Sequence, residues 1–104
     1  HPPFQIDGNL GYSAAVAELL VQSHGDEIVL FPALLPEWKN GAATGFLARG
    51  NIQVDLYWEG KNVRYVLKAQ KDTKINLRVG KKKGCSCFLR GNIPYKGTAI
   101  LERT

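Results

Sequence analysis

The chain of 104 residues contains no methionine, and it has only two cysteines and two histidines. With the bulky His1 standing at position 1, the chain reads as a cut piece of something longer, in which a leader or targeting segment would not be visible. Long hydrophobic runs are also missing. The longest near-apolar stretch, Ile28 to Leu35, falls well short of the roughly 20 residues that cross a bilayer, so no membrane partner is expected. Zinc needs about four ligands, usually with two or more residues between paired cysteines. Cys85-Ser86-Cys87 has one residue between, and His1 and His24 are remote in sequence, so neither a metal nor another cofactor is expected. On an alternating strand the two cysteines would share a face as small buried hydrophobes, and a disulfide between them would close an unusually small ring.

Acidic residues are scarce in the second half. Residues 53–104 hold twelve Lys and Arg against Asp55, Glu59, Asp72 and Glu102, whereas residues 1–52 hold Lys39 and Arg49 against Asp7, Glu18, Asp26, Glu27 and Glu37. A basic half invites a nucleic-acid reading. The lysines argue against it: Lys81–Lys83 lie between Gly80 and Gly84 in a turn, and the others alternate with apolar residues as solvent-facing strand positions do. No aromatic RNA-binding motif or recognition-helix pattern accompanies them, and nucleic acid is not the expected partner.

Two periodicities organise the chain. Leu10, Ala14, Ala17 and Val21 recur at helical spacing, widened by Leu19 and Leu20, which predicts one helix from Leu10 to Ser23. Asp7-Gly8-Asn9 supplies its cap, and His24 before Gly25 would sit where an imidazolium meets the negative end of the helix dipole. After Gly25 the period becomes two. Ile52, Val54, Leu56 and Trp58 alternate with polar residues, Glu59-Gly60-Lys61-Asn62 reads as a hairpin turn, and Val63, Tyr65 and Leu67 form the returning face. Ile75, Leu77 and Val79 make a further strand, Cys85–Leu89 continues the sheet, and Gly97–Arg103 closes it. The expected fold is mainly β with one N-terminal helix (α+β), the C-terminal domain being an antiparallel β-sandwich. Residues 1–24 form a loop and helix, 25–50 a mostly irregular connection with one or two short strands, and 51–104 the main sheet.

The richest chemistry lies at the N-terminus. His1-Pro-Pro-Phe-Gln-Ile-Asp-Gly-Asn9 is a stiff extended loop feeding a helix N-terminus, where the helix dipole and backbone N–H groups keep an Asp ionised. An ionised carboxylate suits a base or nucleophile and not a general acid. The plainer reading is that Asp7 and Asn9 only form an Asx turn and cap the helix. Trp38, after Pro32 and Pro36, is either a sugar-stacking ring or a core anchor, and Tyr57, Tyr65, Phe88 and Tyr95 are the aromatics a sugar-binding sheet face could use.

Together with the residues as far as Trp58, this run resembles the C-terminal part of glycoside hydrolase family 95, inverting α-L-fucosidases of which some members also act on α-L-galactosides. The likeness runs from His1-Pro-Pro-Phe-Gln-Ile-Asp-Gly-Asn-Leu-Gly11 through Ala17-Glu-Leu-Leu-Val-Gln-Ser-His24, Phe31-Pro-Ala-Leu34, Trp38 and Gly45-Phe-Leu-Ala-Arg-Gly50 to Val54-Asp55 and Trp58. Leu10 stands where the family commonly has Phe, and Asn51 where it commonly has Gly; residues 59–104 carry no motif of the resemblance. The resemblance implies that residues 1–24 are an active-site loop and the last helix of an (α/α)6 barrel, and that residues 25–104 are the connection and C-terminal β-domain. It further implies that Asp7 is the general base, that His1 binds sugar, that Asn9 and Gln5 support the site structurally, and that the general-acid Glu lies outside this chain. Inversion needs carboxyl groups roughly 6.5–9.5 Å apart, which distant chain segments can supply. The implied partners are a fucosylated glycan and the rest of the barrel, and the implied parent is secreted or periplasmic. The 104 residues alone would be inactive, with an apolar helix face open to self-association. The alternative is a non-catalytic accessory β-domain with a structural or carbohydrate-binding role.

Overall fold

The computed structural model describes residues 17–34 and 38–102, and the backbone of residues 4–7. Nine strands follow one another: β1 (Phe4–Asp7), β2 (Val21–His24), β3 (Glu27–Leu30), β4 (Asn40–Ala48), β5 (Ile52–Glu59), β6 (Asn62–Lys68), β7 (Thr73–Val79), β8 (Cys85–Leu89) and β9 (Tyr95–Ile100). Two four-stranded sheets, β4-β5-β6-β9 and β2-β3-β7-β8, make a sandwich, and β1 extends the first of them at its β4 edge.

Alternation explains the main sheet. In β5, Ile52, Val54, Leu56 and Trp58 are buried, and in β6 Val63, Tyr65 and Leu67 are buried, so the two strands give one face to the core. They pair antiparallel from Gln53↔Lys68 to Glu59↔Asn62, across a two-residue turn whose Gly60 has φ 60°. The left-handed value matches the turns that suit strand twist. From the facing sheet Ile28 and Leu30 of β3 and Ile75, Leu77 and Val79 of β7 complete the core, with Leu20, Phe31, Trp38 and Leu89.

Not all pairing is antiparallel. β1 runs parallel to β4, from Phe4↔Gly41 to Asp7↔Thr44, and β3 runs parallel to β7, from Glu27↔Asn76 to Leu30↔Val79. The helix expected over Leu10–Ser23 is corrected at its C-terminal end. Helical backbone among the described residues is confined to Ala17 and Glu18, where the Leu20 N–H donates to the Ala17 carbonyl at 3.0 Å; most of the expected helix lies outside the described residues. Val21–His24 is instead strand β2, hairpinned to β3 through Gly25 at φ 63°. His24 is thus an exposed strand residue, and Gly25 serves a hairpin instead of ending a helix. The connection over 25–50 is more ordered than its composition predicts, since it contains β3 and the nine-residue β4.

The chain leaves β3 through a sharp corner. Phe31 is 2% exposed, has φ 53°, and donates its N–H to the Leu20 carbonyl at 2.7 Å. An aromatic residue at positive φ is uncommon and persists where its surroundings hold it. Here its ring meets the Trp58 ring edge-on, with centroids 6.0 Å apart.

Candidate functional site

The strand that carries the N-terminal motif lies beside an irregularity in its neighbour. Between Ala43↔Leu56 and Phe46↔Val54 the register of β4 slips, placing Thr44 and Gly45 opposite Asp55. Gly45 has φ 78°, and its N–H donates to Asp55 Oδ1 at 2.9 Å, so a carboxylate takes up the amide that the bulge removes from the ladder. Asp7 is in register with Thr44 at this bulge, and Gln5 with Ala42. His1 and Asn9 lie outside the described residues, so the structure brings Gln5 and Asp7 onto one strand and tests no other pairing of the motif.

A second feature lies on the same sheet. A groove of about 670 Å³ opens at the end of β4, β5, β6 and β9 and is lined by Asn40, Tyr57, Glu59, Asn62, Arg64 and Thr98, among others. Hairpin register explains its centre: Tyr57 and Arg64 are opposite each other on β5 and β6, both on the face that alternation turns away from the core. The Arg64 guanidinium carbon stands 4.7 Å from the Tyr57 ring centroid, a cation–π contact across the β5–β6 pair. Amide, hydroxyl, carboxylate and guanidinium groups around an aromatic side chain offer the hydrogen-bonding partners that sugar hydroxyls use.

The other aromatics divide by role. Trp38 is a core anchor: it is 9% exposed, its ring centroid is 6.3 Å from that of Trp58, and Trp58 Nε1–H donates to its carbonyl at 3.0 Å. Tyr65 is buried, whereas Phe88 is 54% exposed. Tyr95 is half-buried and faces Cys87, with Oη and Sγ 3.4 Å apart.

The expectation that both cysteines are buried is corrected: Cys85 is exposed and Cys87 only partly covered. They share the inner face of β8, as the alternation predicts, but β8 is an edge strand and the sandwich is open beside it. The hydrogen bond to Cys87, together with partial burial, pushes the Tyr95 phenol up to about 12, and burial raises that of Tyr65 as well. Among the described residues no three His, Cys, Asp or Glu side chains are grouped to hold a metal ion.

Sequence reasoning singled out Tyr57 but missed its partner Arg64, and it quoted Asp55 without a role. The hairpin turn at Gly60 was the available signal, because counting outward from it pairs Tyr57 with Arg64.

Comparison with known proteins gives a consistent result. Residues 22–93 match the family described as glycoside hydrolase family 95, C-terminal domain. The "Alpha-L-fucosidase 2" of Arabidopsis thaliana is 51% identical over a 69-residue alignment that takes in 64% of this chain and 8% of the relative. A "Probable alpha-fucosidase A" of Aspergillus oryzae is 34% identical over 70 residues, covering 58% of this chain and 10% of the relative. Its namesake in Aspergillus niger is 32% identical over 73 residues, covering 60% and 9%. The chain therefore spans at most about a tenth of the length of these relatives. The family match extends past residue 58 into β8 and beyond, and it begins after the Gln5-Ile-Asp-Gly-Asn9 motif.

Proposed function

The chain belongs to the C-terminal domains of glycoside hydrolase family 95, and from that premise we propose that it is the C-terminal portion of an inverting glycosidase acting on α-L-fucosides, with Asp7 as the general base. What supports the reading is the position of His1-Pro-Pro-Phe-Gln-Ile-Asp-Gly-Asn9 on the N-terminal side of the family-matched residues 22–93, twelve residues ahead of them. In this reading residues 1–24 contain the active-site segment, their last four entering the sandwich as β2, and residues 25–104 are the connection and the rest of the β-domain. The Asp7 carboxylate takes a proton from a water aligned with the anomeric carbon, while an acid from another part of the longer protein protonates the departing glycosidic oxygen. His1 binds the sugar, and Gln5 and Asn9 steady the site. The fucosylated glycan and the remaining barrel are the partners, and the 104 residues alone do not hydrolyse glycosides.

Asp7→Asn in the longer enzyme tests the base. The exchange keeps the shape and removes the proton acceptor, so kcat should fall roughly 10²–10⁴-fold while KM changes little. Unaltered kcat excludes Asp7 as base, and fucoside hydrolysis by the 104-residue chain excludes the division of acid and base between chain segments.

The groove favours a second role for the β-domain, that of an accessory carbohydrate-binding surface. A fucosylated oligosaccharide titrated into the 104-residue chain would bind without turnover, and Tyr57→Ala would weaken binding about tenfold by removing the ring under Arg64. Equal affinity in the two proteins removes the groove from consideration.

A further inference from the structure

The outer face of the second sheet is the opposite of the groove in chemistry. Lys74 and Arg78 project from β7 on the face turned away from the core, with Asn76 between them. On the edge strand β8, Ser86 lies opposite Asn76 and Phe88 opposite Lys74. Phe88 is 54% exposed, and the Arg90 guanidinium carbon stands 6.0 Å from its ring centroid. Both ends of the stripe continue the charge. Lys81, Lys82 and Lys83 form the exposed turn from β7 to β8, and Lys71 lies beside Gly91, where the chain leaves β8.

Acids lie nearby but are fewer than the bases. Asp72, which accepts the Gly91 N–H at 2.9 Å, and Glu27, opposite Asn76 on β3, offset the charge only in part, because the Lys and Arg side chains along β7, the turn and Arg90 outnumber them. The seven residues of β7, at about 3.3 Å each, make the stripe roughly 20 Å long. This is where the positive excess of the second half of the sequence collects, around one solvent-exposed ring.

We propose that the outer face of β7 and β8 binds an acidic polysaccharide, its carboxylates meeting Lys74, Arg78, Arg90 and the lysine turn while a sugar ring lies on Phe88. Charge complementarity selects a polyanion, because a row of cations along a strand raises the local concentration of an extended anion and discriminates against neutral chains. The choice of a polysaccharide over a nucleic acid rests on the proposed carbohydrate-active function and on the flat strand face, which presents one exposed aromatic in place of a multi-ring stacking platform. The surface is separate from Asp7 and from the Tyr57 groove, both on the other sheet.

The test is affinity electrophoresis of the 104-residue chain through gels containing polygalacturonate or neutral dextran, with single-stranded RNA as competitor. Polygalacturonate should retard the chain, dextran should not, and added salt should abolish the retardation as counterion release requires. Lys74→Glu with Arg78→Glu should weaken binding at least tenfold. Lys68→Glu with Lys96→Glu changes net charge equally on the other sheet and should leave affinity within about twofold. Phe88→Ala, at an exposed position that the core does not use, should cost about three- to tenfold.

Absence of retardation overturns the proposal, as do equal losses in the two double variants, which would reduce the effect to net charge. Tighter binding of the RNA than of polygalacturonate overturns the choice of partner. Binding here is read without fucose or hydrolysis, so failure of the base assignment at Asp7 would leave a positive result intact, and the reverse also holds.

Discussion

Gly97 offers the sharpest test of how the sandwich is packed. It lies on β9 directly opposite Tyr65 of β6, and a Cβ built on it would collide with Cζ, Oη and Cε1 of the tyrosine ring. Its φ is not in the left-handed region, so the glycine is required by space and not by backbone conformation. Tyr65 is 9% exposed and has little room to withdraw. Overfilling such a site costs about 1–3 kcal/mol. Against this, alanine restricts the unfolded chain more than glycine does and returns about 0.4–1 kcal/mol. Gly97→Ala should therefore destabilise the fold by about 1–2 kcal/mol, lowering Tm by several degrees in a domain of this size. Urea unfolding followed by tryptophan fluorescence measures it directly, because Trp38 and Trp58 are both buried in the core. The double-mutant cycle is decisive. In a Tyr65→Leu background the obstructing ring atoms are gone, and Gly97→Ala should become neutral or stabilising by a few tenths of a kcal/mol. An equal cost in both backgrounds, or no cost in the native one, would refute the argument that the ring lies on the glycine.

The raised Tyr95 phenol, at about 12, predicts that absorbance titration detects a tyrosine ionising well above 10, and that Cys87→Ala brings it back toward 10 by removing the hydrogen bond. The unfolded state ionises first as pH rises past 10, so the stability linked to this group is complete below pH 10 and is lost between about 10 and 12; a stability that climbs across that interval would contradict the assignment. At the bulge, Asp55→Ala deprives the Gly45 N–H of its carboxylate acceptor and should cost about 1–3 kcal/mol, with a lower midpoint in urea. An unchanged midpoint would show that the amide is satisfied by other means.

What the sequence could reveal depended on local physics. Ile52 to Trp58, Val63 to Leu67 and Ile75 to Val79 alternate without interruption, and each is a strand with those residues inward. β4 is obscured because Gly41-Ala-Ala-Thr-Gly45 has no large or β-branched apolar residue to mark a period, and the bulge breaks the period where it would show. β2 passes for the end of a helix because four residues cannot distinguish the two spacings, and Val21 falls on the helical stripe by coincidence. The cysteines of β8 lie on the face that alternation predicts but not at the depth. Alternation reports which way a side chain points, whereas its burial depends on whether another strand lies beyond, and beyond β8 there is none among the described residues. Of the candidate sites, the Asp7 motif is visible as a string of residues, whereas the Tyr57–Arg64 pair exists only once two strands are in register.

The parallel pairing of β3 with β7 has a consequence for how the molecule is made. On a nascent chain the β2–β3 hairpin emerges early, yet its neighbour in the sheet, ending at Val79, is synthesised 49 residues after Leu30. At translation rates of about 5–20 residues per second the hairpin waits for roughly 3–10 s. During that interval Ile28, Val29, Leu30 and Phe31, all nearly solvent-free in the finished sandwich, have no β7 to pair with. Strand order thus leaves this apolar segment incompletely covered until β7 is made, and it is the segment on which the two halves of the chain later close.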